Sequence, residues 1–303
     1  MRANTWVQGA SLVFLAWFLI ELPAVSVGIV VAADAVAADK ITGVLSVHDV
    51  LTIPGRPARI EARLVGDSLL RRAGLGGERL ELLVGGKTVA TAMTGGDGRA
   101  FFEYAPPRRG NHVMTVRLAD NKRVTSPEAT ATLAVWERRR PILLVEAAAL
   151  VERAAGPKIP LLPVPLEFGG FGRRGPAPDA AEELTRLTKF FYNVIYLSWS
   201  DSGTLVRFGE RGGLPEWLGK HKFPAGLRMS VDPGREALAA KIEDMKAGGW
   251  TNFRIGIGRT KAFAEVLVEH RIGVIIMPAS EEDEELPRKA QVAKNWKEVR
   301  KKL

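Results

Sequence analysis

The sequence predicts two successive folds, an all-β sandwich over residues 39–137 and a three-layer α/β domain with a parallel sheet over residues 138–303. Three observations carry that prediction. Between Ile41 and Trp136, seven short β-prone segments are separated by turn residues. From Ile142 onward, apolar runs of strand length alternate with segments of helical spacing, as in a parallel sheet. The junction between the two, Trp136-Glu-Arg-Arg-Arg-Pro141, is too short and too charged to be a tether, so the two parts should abut in a fixed relation.

Composition supports a folded chain with two cores. With 303 residues, 46% of them hydrophobic and 25% charged, the chain is globular and long enough for two domains of ordinary size. The net charge of +9 favours an anionic partner. Nucleic acid is excluded as that partner, because the cations are dispersed and form neither a long basic block nor a nucleic-acid motif. The absence of cysteine excludes a disulfide framework, a thiol nucleophile and a thiolate metal site.

Residues 1–38 read as a targeting segment. Ser11 to Ile20 is an unbroken apolar run preceded by Arg2, and Ala35-Val36-Ala37 offers a small-residue cleavage site. Apolar residues resume from Ala24 to Ala33 after Glu21 and Pro23, so a retained anchor that ties the chain to a membrane fits the same segment. Either way the expected location is outside the cytoplasm, in the periplasm or cell envelope. No later stretch reaches the roughly 20 apolar residues that a membrane helix needs.

The strands expected in the sandwich are Ile41–Ser46, Ala58–Leu64, Arg79–Val84, Lys87–Met93, Ala100–Tyr104, His112–Leu118 and Ala129–Trp136. Gly85-Gly86 joins two of them as a tight hairpin and Gly95-Gly96-Asp97-Gly98 closes the next, since these residues adopt positive φ at low cost. Seven such strands suit an immunoglobulin-like sandwich. The phrase Val84-Gly-Gly-Lys-Thr-Val-Ala-Thr-Ala-Met-Thr-Gly-Gly-Asp-Gly98, with the aromatic strand and Pro107-Arg-Arg-Gly-Asn-His112 after it, resembles bacterial immunoglobulin-like repeats over about half of the domain. His112 is then a turn residue rather than a ligand. The three arginines Arg138 to Arg140 read as a solvated strand end, the alternative being bidentate binding of a phosphate or carboxylate.

In the second half, Ile142–Val145 is a buried strand. Residues 156–178, dense in Pro and Gly, form a loop that is either a flap over the strand ends or a plain surface excursion. Asp179 with Glu182 predicts a capping box for a helix over Ala180–Phe191. The strand Asn193–Leu197 follows, ending in Ser198-Trp-Ser-Asp201, and then a short element over Gly203–Phe208. Asp232-Pro233 is expected to cap a helix that carries Leu238, Lys241, Ile242 and Met245 and stops at Gly248-Gly249. Next come a strand at Phe253–Ile257, a helix at Thr260–Glu269 and a strand at Gly273–Met277. The acidic run Glu281–Glu285 complements the amino end of a final helix over Pro287–Leu303, docked by Trp296 and Val299.

This order resembles the haloacid dehalogenase superfamily of phosphohydrolases, in particular its phosphatidate-phosphatase-like branch. The resemblance rests on Pro141-Ile-Leu-Leu-Val-Glu-Ala-Ala-Ala149, Tyr196-Leu-Ser198, the phrase Phe223-Pro-Ala-Gly-Leu227, Lys241 and Gly256-Ile-Gly-Arg259. It implies a three-layer fold whose strand ends carry an aspartate nucleophile, an acid/base, magnesium-binding carboxylates, a phosphate-contacting hydroxyl and a lysine. In this chain Val145 stands at the nucleophile position, Ala147 at the acid/base, Ala149 at the threonine and Ile257 at a metal carboxylate. Ser198 and Lys241 are retained. The resemblance therefore implies a catalytically emptied domain with no cofactor, able to hold an anionic or phosphate-bearing ligand through Ser198, Lys241 and Arg259. The alternative is an active phosphohydrolase that uses magnesium and a relocated acid, Glu146, Glu152 or Glu167. A third possibility is adhesion through the sandwich alone. Alternation along an extended segment turns Glu146 away from Val145 and Ala147. A dinucleotide site at Gly256-Ile-Gly258 lacks the third glycine and the acid at the required spacing. A triad of Ser198 or Ser200 with Asp201 and His221 or His270 lacks the nucleophile-elbow glycines.

Overall fold

Along Ala58–Gly66 alternate side chains up to Leu64 are buried while those between them face water, so one face of this segment must meet an apolar partner. That partner is a second sheet. A computed structural model describes residues 40–67, 73–152, 175–200, 213–277 and 286–303 of the chain. Its first half contains β1 (Ile41–Val47), β2 (Val50–Thr52), β3 (Ala58–Gly66), β4 (Arg79–Val84), β5 (Lys87–Met93), β6 (Arg99–Tyr104), β7 (Gly110–Leu118), β8 (Val124–Thr125) and β9 (Ala129–Val135). One sheet has the order β6-β3-β1-β8 and the other β2-β9-β7-β4-β5. Ile60, Leu64 and Phe102 of the first meet Leu80, Leu82, Met114 and Leu133 of the second.

The chain begins in one sheet as β1 and switches to the other as β2, which pairs in parallel with β9. The antiparallel pairs β3–β6, β4–β7 and β7–β9 complete a Greek-key arrangement. The first half is thus an immunoglobulin-like β-sandwich. Among the described residues nine strands appear where the sequence predicts seven, because β2 and β8 are three and two residues long and too short to show an alternation.

In the second half, β10 (Ile142–Glu146), β11 (Asn193–Trp199), β12 (Leu227–Val231), β13 (Phe253–Gly258), β14 (Gly273–Ile276) and β15 (Gln291–Val292) form one sheet in the order β12-β11-β10-β13-β14-β15. Every pairing in it is parallel. Strand β10 is central and buried on both faces, which explains its unbroken apolar run. Leu143 and Val145 face a layer containing α1 (Ala180–Phe190), α2 (Gly213–Lys220) and α5 (Trp296–Lys302). Ile142 and Leu144 face α3 (Arg235–Ala247) and α4 (Lys261–Glu269). The strand order reverses between β10 and β13, and the carboxyl ends of those two strands are where such sheets bind ligands.

Several local expectations are corrected. Asp179 forms no capping box: it is left-handed at φ 63°, and its carboxylate pairs with Lys297 of α5 at 3.1 Å. Asp232 does not cap α3, whose amino end is Gly234; it accepts a hydrogen bond from the Ser200 hydroxyl instead. The last helix begins at Trp296 behind an Asn295 cap rather than at Pro287, because Gln291–Val292 first adds a strand to the sheet edge. Trp296 and Val299 are buried, as that helix's docking requires. The Phe223-Pro-Ala-Gly226 phrase leads into β12, a strand that the sequence did not reveal. A Cβ on Gly226 would lie 2.5 Å from Val194 Cγ1, so only glycine lets this segment lie against β11. Nearby, the buried Tyr196 hydroxyl donates to the Pro224 carbonyl at 2.7 Å, and burial raises its pKa well above the ordinary phenol value.

Arg138 is exposed and Arg140 half-buried, and both also bond to helix ends. Arg138 donates to the Gly248 carbonyl at the end of α3 (3.0 Å) and Arg140 to the Thr188 carbonyl in the last turn of α1 (2.5 Å), where a cation complements the helix dipole. Arg139 stays exposed beside Glu137. Sandwich and sheet belong to one compact unit, Asp39–Leu303. Trp136 meets Trp250 edge-on at 6.3 Å and donates its indole N–H to Asn111, which in turn donates to the Ala225 carbonyl.

Candidate functional site

The strand ends at the reversal are built from β10, β11 and β13. Val145 and Ile257 are fully buried and adjacent in register, and Ala147 is 4% exposed. All three belong to the core under α1, α2 and α5. After Glu146 the chain turns at once into a 3-10 turn, Ala147–Leu150, whose buried residues are Ala147, Ala149 and Leu150. Where a first-strand active site would place chemistry, this chain places packing.

The exception is Glu146. It is fully buried at the end of β10 and lies on the opposite side from Val145, as alternation requires. Its Oε2 accepts from the backbone N–H groups of Arg259 (2.6 Å) and Thr260 (3.0 Å), and its Oε1 from the Thr260 hydroxyl (2.8 Å) and the Trp199 indole N–H (2.7 Å). Thr260 is the cap of α4 and its hydroxyl oxygen also accepts from Phe263 N. The amino end of a helix at a strand reversal is a natural anion site. Here the chain's own carboxylate fills it.

The glycines around Ile257 serve this packing. A Cβ on Gly256 would lie 2.0 Å from Leu267 Cδ2, and one on Gly258 would lie 2.3 Å from Phe263 Cδ1 and 2.8 Å from Glu146 Oε2. They let α4 rest directly on β13, which accounts for the glycine spacing without a dinucleotide. Gly256→Ala is expected to cost about 1–3 kcal/mol through overpacking, read as a lower urea midpoint at an unchanged slope.

The retained motif residues are only partly gathered. Ser198 is half-buried near the end of β11, opposite Ser230 of β12, on the face of Val194 and Tyr196. Arg259 flanks Glu146 and donates from its guanidinium to the Val151 carbonyl at 2.8 Å. Lys241 is exposed on α3, a helix that packs on the other face of the sheet. Among the relocated acids, all the bonds of Glu146 are internal, Glu152 is exposed, and Glu167 lies outside the described residues. Residues 156–174, Asp201, the element over 203–208 and the run 281–285 also lie outside them. His221 rests against Trp217 at 4.7 Å, and His270 Nδ1 lies 2.9 Å from Glu243. The carboxyl of Glu243 is held below its ordinary range by its hydrogen bond from Lys246. His112 donates a turn hydrogen bond from Nε2 to the Arg108 carbonyl, 2.9 Å away.

A magnesium ion does not fit these strand ends. The positions that would supply carboxylates are apolar, and both Glu146 oxygens face N–H and O–H donors, an environment that repels a cation. Among the described residues no three acids or histidines form a metal-holding group. The polar roles of Trp199 and Thr260 were missed in the sequence. The available signal was Glu146 itself, since an acid at the end of a buried strand must find donors.

Comparison with known proteins adds little to this geometry. No family model and no curated protein matches the chain. Among solved structures, the fibronectin(III)-like modules of Clostridium thermocellum CbhA align at 15% identity over 31% of this chain and 47% of that one, with a TM-score of 0.25. A CARDB domain from Pyrococcus furiosus aligns at 16% identity over 32% of this chain and 92% of that one, with a TM-score of 0.24. A sialyltransferase from Photobacterium damsela aligns at 10% identity over 78% of this chain and 42% of that one, with a TM-score of 0.19. The chain thus spans about half the length of the first of these. Such scores carry no argument, and the sandwich assignment rests on strand order alone. Among the described residues no helix is long and apolar enough to cross a membrane.

Proposed function

We propose that this chain is an exported binding or scaffold protein of the cell envelope, in which an immunoglobulin-like module is joined to a catalytically emptied dehalogenase-like domain. The observation that carries this is Glu146, which occupies the helix amino end where a substrate anion would be held. Beside it, Val145, Ala147 and Ile257 offer neither a nucleophile nor a metal ligand. Loss of metal carboxylates and donors removes several kcal/mol of transition-state stabilisation each, and loss of the nucleophile removes the covalent route entirely. The strand order around a central β10 supports the dehalogenase-like comparison but warrants no activity by itself. Ser198 near the end of β11 and Arg259 just after β13 are the polar groups through which an anionic or phosphate-bearing ligand would be held there. The apolar run near the amino terminus supports export.

The test is phosphate release from p-nitrophenyl phosphate and from phosphatidate vesicles, with and without magnesium. The expected result is no release above buffer. Magnesium-dependent release that disappears in Ser198→Ala would overturn the proposal in favour of an active phosphohydrolase.

A further inference from the structure

A second concave region lies away from the strand ends, where β2 and the turn after it meet the carboxyl end of α3. It has a volume of about 330 Å³, within the range of small-ligand pockets. Leu51, Ile53 and Trp250 form its apolar wall, and Arg56, Arg59 and Arg138 bring charge to it. Among the described residues no acid lines it. None of these three arginines forms an ion pair among the described residues, whereas Arg99, Arg117, Arg123, Arg186, Arg228 and Arg235 all do.

Arg138 is also held in place at the groove. Arg138 donates to the Gly248 carbonyl at 3.0 Å, its guanidinium lies 5.9 Å from the Trp250 ring centroid, and Gly249 leaves room for it, since a Cβ there would sit 2.8 Å from Arg138 Cζ. The Arg59 guanidinium lies 4.0 Å over the ring of Phe101, which is outside the groove lining. One N–H of Arg138 is spent on the helix end, and a planar guanidinium has donors left for an oxyanion. Uncompensated cations in a cleft focus potential and raise the local concentration of anions.

We infer that this groove is a binding site for a small anion carrying an apolar or ring-shaped body, with Arg56 and Arg138 on its phosphate or carboxylate and Trp250 against the body. The site spans both halves of the compact unit and is separate from the strand ends of the proposed function. Arg138 belongs to the junction, β2 to the sandwich and Trp250 to the α/β half.

The experiment titrates phenyl phosphate, benzoate, inorganic phosphate and phenol into the full chain, followed by calorimetry and by amide chemical shifts. Phenyl phosphate or benzoate is expected to bind saturably and more tightly than inorganic phosphate, with phenol not binding. Arg138→Ala should weaken binding by about tenfold or more, as loss of a charged hydrogen bond does. Because Arg138 also touches α3, the exposed Arg56→Glu is the second variant, and it should weaken binding similarly with an unchanged melting temperature. Absence of saturable binding, or affinity retained in both variants, overturns the inference. So does binding lost in Ser198→Ala but kept in Arg56→Glu, which would assign the anion to the strand ends.

Discussion

Glu146→Ala is expected to lower the unfolding free energy by about 3–5 kcal/mol, the range for stripping a buried charge from its partners. The wild-type carboxylate accepts from two backbone N–H groups, one hydroxyl and one indole, and the variant leaves all four donors facing a dry gap. A cavity term adds to this, because Phe263 and the β13 backbone are fixed and cannot fill the space. Glu146→Gln separates charge from shape: the amide retains one acceptor but turns an NH₂ toward donors, and a loss of about 2–3 kcal/mol is expected. Urea unfolding at constant slope gives the measurement. A loss below about 1 kcal/mol in Glu146→Ala would show that water replaces the carboxylate freely, and that the α4 amino end is open to an external anion after all.

What the sequence disclosed follows from how local each signal is. The β10 run and the alternation along β3 are properties of a single segment, and both were legible. The direction of Glu146 was legible for the same reason, but its partners were not, because Trp199 and Thr260 lie 53 and 114 positions away. Asp179 followed by Glu182 looked like a cap because the pattern is local; the side chain was drawn instead to Lys297, which no local rule can see. Strand β15 escaped because two residues have no period, and that moved the start of the last helix. Lys241 occupied the right place in a motif order yet lies on the layer opposite Ser198. Order along the chain does not specify which face of a sheet a helix covers.

Asp49→Ala is expected to have an effect of the same size, about 3–5 kcal/mol, for a different reason. Asp49 precedes β2, and its carboxylate is 3% exposed. It accepts from Thr132 N of β9 (2.8 Å), from Arg228 N of β12 (2.7 Å) and from the Arg228 guanidinium through Nε (2.8 Å) and a terminal nitrogen. One residue thus ties the sandwich to the edge strand of the parallel sheet, and removing it leaves Arg228, 19% exposed, without its counter-charge. The double variant Asp49→Ala/Arg228→Met should regain part of the loss, because the stranded charge goes with the arginine while its apolar stem is replaced. If the pair is what makes the two halves unfold together, calorimetry should show the single wild-type transition broadening or splitting in Asp49→Ala. Equal losses in the single and double variants would instead assign the effect to the backbone bonds at Thr132 and Arg228. The halves would then be coupled chiefly by Trp136, Trp250 and Asn111, and those residues rather than the ion pair would set the geometry of the arginine groove beside β2.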